Sequence, residues 1–369
     1  MQMYNYTQED ISFIELIEDV NFHTENFYGS FEDYLILPTF LEKEISRKQT
    51  NIMQEIIDIK GSKRLTKPVI SSPMSFFGKR FGERLVERNF IYSIPRINKP
   101  IEERIEIYKE LKSKYNSTII FSVGAKEEIT NEIIDNSDIL LLDIAHGASK
   151  HSVNFLYSLS RLGINSGVMV GNIGSINGML YLLYFAAKFG FKNIYIRSGI
   201  GSGSACTTRL NTGVGFPQLD LMKDLRNFLN NLNSSRLGKY IENLSDTKVY
   251  LVSDGGIKNY GDIAKALIFS DLVMGGKIFA SREVDTFNNE KVFYYGMASQ
   301  YAKQNKENVE GEGFEIKNPP HLEEILLGIE DGLRSALTYT NSTNLEEFRR
   351  KAKLIRVSSS TLKETYVGF

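Results

Sequence analysis

The one cysteine of this chain, Cys206, lies in the run Ser198, Gly199, Ile200, Gly201, Ser202, Gly203, Ser204, Ala205, Cys206, Thr207, Thr208, Arg209. A loop this rich in glycine and serine lets backbone N–H groups approach an anion closely. The same N–H dipoles favour a thiolate, so Cys206 reads as a nucleophile. The alternative is a loop thiol with no chemistry. The residues before it, Asn193 to Arg197, form an apolar run that reads as a strand.

Other polar residues follow apolar runs in the same way. Ser71, Ser72, Pro73 and Met74 end one run, Pro95 and Arg96 a second, Asp143 to Gly147 (with His146) another, and Gly171 and Asn172 a further one. Ser253, Asp254, Gly255 and Gly256 close the seventh run; Gly275, Gly276 and Lys277 the eighth. Three glycine turns beside a cysteine have the composition of a phosphate cradle and point to a phosphate-bearing substrate. Each residue also has a plainer reading. A Gly pair makes a tight turn, Asp143 and Asp254 serve as helix N-caps, His146 is a loop or cap residue, and Lys277 either holds a phosphate or lies on the surface.

The elements that must position these groups repeat. Strands are expected at Val69–Ser71, Ile91–Ile94, Thr118–Val123, Ile139–Ile144, Gly167–Val170, Ile194–Ile196, Val249–Val252 and Leu272–Met274. They are nearly continuous in Val, Ile, Leu and Tyr, as strands buried on both faces are. Amphipathic stripes lie between them, such as Ile101, Ile105, Tyr108, Leu111 and Leu219, Met222, Leu225, Leu229. Eight such alternations predict an α/β fold, a closed parallel (β/α)8 TIM barrel with its site at the strand C-termini. A doubly wound open sheet is the alternative. It would need a tight glycine fingerprint after a strand with an acidic residue about 20 positions on, and no strand here is followed by that combination. Residues 1–369 read as a single domain with an N-terminal extension over 1–63 and a mobile flap region over 285–317. Phe27 to Pro38 is expected to lie across one barrel end, and Pro320 to open the last barrel helix.

Composition sets outer bounds. The chain has 369 residues and a formal net charge of −1, which gives no electrostatic case for a nucleic-acid partner. No apolar run approaches the roughly 20 residues that span a bilayer. The polar N-terminus does not read as a secretory signal, and a lone Cys fits a reducing compartment. The expectation is a cytoplasmic protein with no membrane partner. The four histidines (His23, His146, His151, His321) show no zinc-ligand spacing with Cys206.

The run Gly199 to Gln218, with Cys206-Thr207-Thr208-Arg209 and then Thr212-Gly213-Val214-Gly215-Phe216-Pro217-Gln218, closely resembles the signature of the inosine monophosphate dehydrogenase / guanosine monophosphate reductase family. Val170-Gly171-Asn172, Ser253-Asp254-Gly255-Gly256, Gly261-Asp262 with Ala264-Lys265-Ala266, and Tyr295-Gly296-Met297-Ala298-Ser299 are similar to further family motifs, in the family's order. The similarity runs from about Tyr34 to about Val357 and is most specific in the cysteine loop. The resemblance implies a (β/α)8 barrel whose thiolate attacks C2 of a purine nucleoside monophosphate, with a nicotinamide cofactor exchanging hydride at that carbon. It implies Cys206 as nucleophile, Thr208 as the neighbouring hydroxyl that aids proton transfer, and Glu310 (or Glu312 in another register) at the purine edge. It places Ser204, Gly256, Gly276 and Tyr294 at the phosphate, Asp254 at the ribose hydroxyls and Met297 beside the base. Asp143 and Asn172 fall near the nicotinamide, and Gly201, Gly203 and Cys206 at a monovalent cation such as K⁺. Similar proteins are homotetramers.

Between reductase and dehydrogenase the resemblance favours the reductase. The dehydrogenase carries an Arg-Tyr pair on its flap, absent between Ser299 and Glu310, and a regulatory insertion after the second strand, where Arg96 leads straight into a helix here. Leu354, Ile355, Arg356 and Val357 also look more like the reductase. The reaction implied is NADPH-dependent reductive deamination of GMP to IMP and ammonia. The alternatives are IMP dehydrogenase with NAD or a related purine nucleotide oxidoreductase, and a nucleotide-binding barrel without turnover. The chain departs from the family pattern at four places: Ser198 for valine, Ser202 for proline, Pro95-Arg96 for His-Lys, and Lys277 for the second glycine of the eighth-strand pair. A role that needs a neutral lysine cannot be met by Arg96.

Overall fold

All eight apolar runs become strands of one parallel sheet. The computed structural model describes residues 1–18, 20, 22–23, 27–41, 44–232, 237–241, 244–303, 309–358 and 361. The strands are β1 Val69–Ser71, β2 Tyr92–Ile94, β3 Ile119–Val123, β4 Ile139–Leu142, β5 Val168–Ile173, β6 Asn193–Ser198, β7 Lys248–Asp254 and β8 Leu272–Gly275. Each pairs in parallel with its sequence neighbours, and β8 pairs with β1. A bridge between Ile70 and Ile91 joins β1 to β2 and closes the ring. Beyond that bridge the ladder runs out, and Ser71 Oγ accepts the Ser93 N–H at 3.2 Å in its place. Helices follow every strand: α1 Lys79–Glu87, α2 Ile101–Lys114, α3 Asn131–Asp135, α4 Lys150–Arg161, α5 Ile176–Lys188, α6 Gln218–Leu232, α7 Tyr260–Leu267 and α8 Leu322–Tyr339. The fold is a (β/α)8 barrel.

The barrel interior is a cluster of its own: Ile70, Ile91, Ile120, Ile139, Leu141, Met169, Tyr195, Tyr250, Val252, Leu272 and Met274, with Ile56. Side chains alternate along a strand. One step further toward each C-terminus the same inward column therefore reads Ser72, Ser93, Ser122, Asp143, Gly171, Arg197, Asp254 and Gly276. The lining changes from apolar to polar within two residues, and that change places the polar groups at the mouth.

The other end is closed by a hairpin, Gln54–Ile57 with Lys63–Thr66. Ile56 fills the barrel floor, while Tyr195 Oη donates to Ile57 O at 2.9 Å and accepts the Ile57 N–H at 2.8 Å. This corrects the expectation for Phe27 to Pro38. Within that segment Tyr34–Leu37 pairs antiparallel with Lys353–Arg356. The chain there runs over the outer helices: Asp220 of α6 accepts the Gly29 N–H, Lys265 of α7 donates to Phe31 O, and Tyr339 at the end of α8 accepts the Thr39 N–H. An extended segment needs a ladder partner for its backbone, and the C-terminal strand supplies it.

The 285–317 region carries ordered structure beyond a polar flap. Phe287–Asn288, Lys291–Tyr295 and Gly313–Lys317 form a three-stranded antiparallel sheet, with Val292 and Tyr294 buried at period two. Gln304 to Asn308 lie outside the described residues. Among the described residues no helix is long and apolar enough to cross a membrane.

The N-terminal helix Gln8–Glu18 docks on α5 through Asp10, which is fully buried. Its carboxylate accepts from Tyr4 Oη, Thr7 N, Tyr184 Oη and Lys188 Nζ, all within 2.9 Å. Burial pushes the Asp10 carboxyl up, but the Lys188 ammonium and the Thr7 and Tyr4 donors outweigh it and hold it below its ordinary value. A lowered carboxyl contributes stability that is full above the ordinary Asp range near ~4 and is lost as pH falls through the folded-state value. Asp10→Asn is therefore expected to lower stability by about 2 kcal/mol at neutral pH and by less in acid. Urea unfolding at pH 7 and pH 3 measures both, and an equal loss at the two pH values would contradict the assignment.

Candidate active site

The cysteine turn leaves β6 with Gly199 at φ +142°. A Cβ there would stand 2.1 Å from Asp254 O, so only glycine lets the turn pass the end of β7. The chain returns through the short helix Thr208–Thr212. Against this turn lies the segment that enters the last flap strand. Glu310 O accepts the Thr207 N–H at 3.0 Å, Ala205 O accepts the Glu312 N–H at 2.9 Å, and Cys206 bridges to Gly311. These contacts select the register. The Glu310 carboxylate accepts the Thr208 hydroxyl at 2.7 Å, and Thr208 Oγ1 accepts the Cys206 thiol at 3.2 Å. Glu312 is exposed and points its backbone at Ala205. Thiol, hydroxyl and carboxylate thus form one hydrogen-bonded line, its Thr208–Glu310 contact spanning 102 positions.

A second constellation crosses the mouth. Arg197 on β6 is 8% exposed, and its Nη1 donates to Asp143 Oδ1 at 3.0 Å and its Nε to Asp254 Oδ2 at 2.8 Å. Arg96 donates to the other Asp143 oxygen at 3.1 Å, and Asn172 Nδ2 to Asp254 Oδ2 and Gly199 O at 2.7 Å each. Charges alternate Arg96, Asp143, Arg197, Asp254. Burial works against the Arg197 charge, but Asp254 and Asp143 more than offset it and raise its pKa. The aspartates are not helix caps: Ser149 holds the N-cap position of α4, and Asn259 caps α7 through its side chain. Sequence reasoning missed Arg197 as a site residue. The signal was there, since it stands two positions beyond the inward-facing Tyr195.

The glycine turns of β7 and β8 lie beside the cysteine turn. Ser202 Oγ donates to Asp254 O at 2.9 Å. Ser204 is exposed on the loop, and Gly255 and Gly256 both take φ near +80°. A Cβ on Gly276 would meet Tyr294 Oη at 2.4 Å, so the tyrosine hydroxyl sits on that turn. Burial, the Asp254 charge and little else raise the Tyr294 pKa, against an opposing Lys277 N–H, so the group is a neutral phenol. Met297 Sδ accepts the Ser75 N–H at 3.3 Å. Gly203 O accepts the Cys206 N–H at 3.0 Å, which puts Gly203 and Cys206 in one turn behind Gly201. Lys277 is exposed. Among the described residues no three His, Cys, Asp or Glu side chains converge as a metal set.

The sequence matches a known family along most of its length. The family model described as IMP dehydrogenase / GMP reductase domain covers residues 29–367. The chain belongs to the IMP dehydrogenase / GMP reductase family. It is 27% identical over 335 residues to the GMP reductase of Pediococcus pentosaceus, covering 87% of this chain and 94% of that one. It is 27% identical over 333 residues to the enzyme of that name from Staphylococcus epidermidis, covering 86% and 93%. With the GMP reductase of Onchocerca volvulus it shares 26% over 365 residues, covering 92% and 93%. In this family member the polar mouth depends on one cation between two carboxylates. Arg197→Met is expected to destabilise the fold by about 3 kcal/mol, because it leaves Asp254 buried with no cation and Asp143 with Arg96 alone. Arg197→Lys should recover only part, since one ammonium cannot span both partners. Urea unfolding of the three proteins is the check, and equal stability of wild type and Arg197→Met would refute it.

Proposed function

We propose that this oxidoreductase-family barrel is a GMP reductase, which converts GMP to IMP and ammonia with NADPH through a covalent bond from Cys206 to the purine. The observation that carries this reading is the hydrogen-bonded line Cys206, Thr208, Glu310. Purine C2 is a weak electrophile, so attack needs a thiolate and the leaving amine needs a proton. The line does both with one proton. Thr208 takes the thiol proton as it passes its own to Glu310, and the thiolate adds to C2. The proton then returns from Glu310 by way of Thr208 to the 2-amino group, which leaves as ammonia. A hydride supplied to C2 by a bound nicotinamide would let the C2–S bond break, with Cys206 leaving as the thiolate and IMP released. The relatives named GMP reductase support this direction.

Substrate groups fall to the residues already placed. The phosphate is assigned to Ser204, Gly256, Gly276 and Tyr294, the ribose hydroxyls to Asp254 and the base to Met297. Asp254 Oδ2 is taken by Arg197 and Asn172, which leaves Oδ1 as the acceptor. The nicotinamide cofactor supplies the hydride when bound. The residues present fit such a group, because Arg96 uses Nε and Nη2 on Asp143 and keeps Nη1 uncommitted at the open mouth. Asp143, Asn172 and Arg96 would hold it. A K⁺ ion takes oxygen ligands, and Gly203 O retains one lone pair beside the Cys206 N–H. Residues 1–369 would then act as one domain, in the cytoplasm and as a homotetramer.

Cys206→Ala is expected to abolish NADPH oxidation while keeping GMP affinity within about tenfold, because the thiol acts in chemistry more than in binding. Residual GMP-dependent turnover in that variant would remove the nucleophile assignment. Glu310→Gln should lower kcat about a hundredfold or more by interrupting the proton path. Wild-type protein with GMP and NADPH should release ammonia. Turnover only with IMP and NAD⁺ would make it the dehydrogenase, and GMP binding without turnover would make it a nucleotide-binding barrel.

A further inference from the structure

The phosphate cradle assigned above consists of neutral groups: two glycine turns, a serine hydroxyl and a buried phenol. A nucleoside monophosphate brings close to two negative charges at neutral pH. Helix and turn N–H dipoles meet part of that charge. The cations that follow β6 and β7 are already committed. Arg209 donates to Phe216 O, Lys258 pairs with Glu32 at 2.5 Å, and Lys265 pairs with Asp262 at 3.1 Å and holds Phe31 O. Lys277, next to Gly276, is different. Among the described residues it makes no ion pair, and its ammonium rests over the Phe314 ring, 5.4 Å from the centroid.

That ring is part of the cradle wall. Phe314 is the cross-strand partner of Tyr294, their ring centroids 5.4 Å apart, and Tyr294 Oη sits on Gly276, the residue before Lys277. Lys277, Phe314, Tyr294 and Gly276 therefore close a ring of contacts around one turn. A cation on an aromatic face at an exposed site gains only about 0.5–1 kcal/mol, so it leaves readily for a phosphate dianion.

We propose that Lys277 is a substrate-binding residue that supplies the counter-charge to the phosphate group of the nucleotide. The inference rests on the nucleoside monophosphate reading above. It also gives the departure at the eighth-strand turn a use: the charge comes from a side chain where a glycine would offer only its backbone. The residue binds and does not take part in bond making.

The test uses the full chain and its Lys277→Met and Lys277→Arg variants. Binding of GMP and of guanosine is measured by calorimetry, with inorganic phosphate as competitor. Lys277→Met keeps the stem against Phe314, so the fold should survive, and thermal unfolding checks this. Losing one charge-assisted contact should weaken GMP about tenfold and leave guanosine unchanged. KM should rise with kcat unaltered, Lys277→Arg should restore GMP binding, and added KCl should weaken GMP less in the Met variant than in wild type. Unchanged GMP affinity in Lys277→Met, or equal loss for GMP and guanosine, would overturn the assignment while leaving the reductase reading intact. A wild type that binds no GMP would overturn the reductase reading and this one with it.

Discussion

Two backbone hydrogen bonds, Thr207 N–H to Glu310 O and Glu312 N–H to Ala205 O, hold the flap sheet to the cysteine turn. Everything chemical in the site depends on them. A carboxylate carried on an unanchored loop would sample many positions, and ordering it at the moment of reaction would cost conformational entropy. Backbone bonds on either side of Gly311 fix that entropy in folding. They also set the parity of the strand, so that Glu310 faces Thr208 while Glu312 faces solvent. Gly311 itself is hemmed in by Ser299 N and Ala205 O, which a side chain there would crowd.

The second constraint is electrostatic. The barrel floor is apolar, and two residues later its lining becomes Asp143, Arg197 and Asp254. Charges so near an apolar core are tolerated because each carboxylate has a guanidinium donor and the signs alternate. The result is a rigid polar rim in which Asn172 and Arg96 are oriented by the same ladder. Rigidity of this kind keeps acceptors in place before a substrate arrives, which is how a site lowers reorganisation. Arg96 differs from the lysine of the family pattern in a way the ladder makes intelligible. Its planar fork reaches both the carboxylate and the carbonyl of Asp143, a geometry an ammonium does not match.

How much was legible beforehand differs by element. Each barrel strand was visible as a short β-rich apolar run, and the cysteine turn as a dense glycine pattern. The floor hairpin and the flap sheet were not read, although Lys291 to Tyr295 alternates half-buried and buried at period two. Period two is a local signal, but pairing is not. Which strand it meets depends on partners about 20 residues away, and for Tyr34–Leu37 on Lys353–Arg356, more than 300 away. A charged residue at a strand end such as Arg197 is ordinarily solvated. Only the barrel's inward face turns it into a buried bridge.

By itself the sequence determined the alternation of eight strands and helices, the closed parallel sheet it implies, the position of the lone thiol and the family motifs around it. These follow from local composition and periodicity, which need no knowledge of distant neighbours. The tertiary structure decided that Glu310 and not Glu312 meets Thr208, that Arg197 spans two aspartates, and that a hairpin and not the Tyr34 strand seals the floor. Each of these is a contact between segments far apart in the chain, set by strand register and barrel closure; a local pattern can put Arg197 on the inward face but does not name its partners.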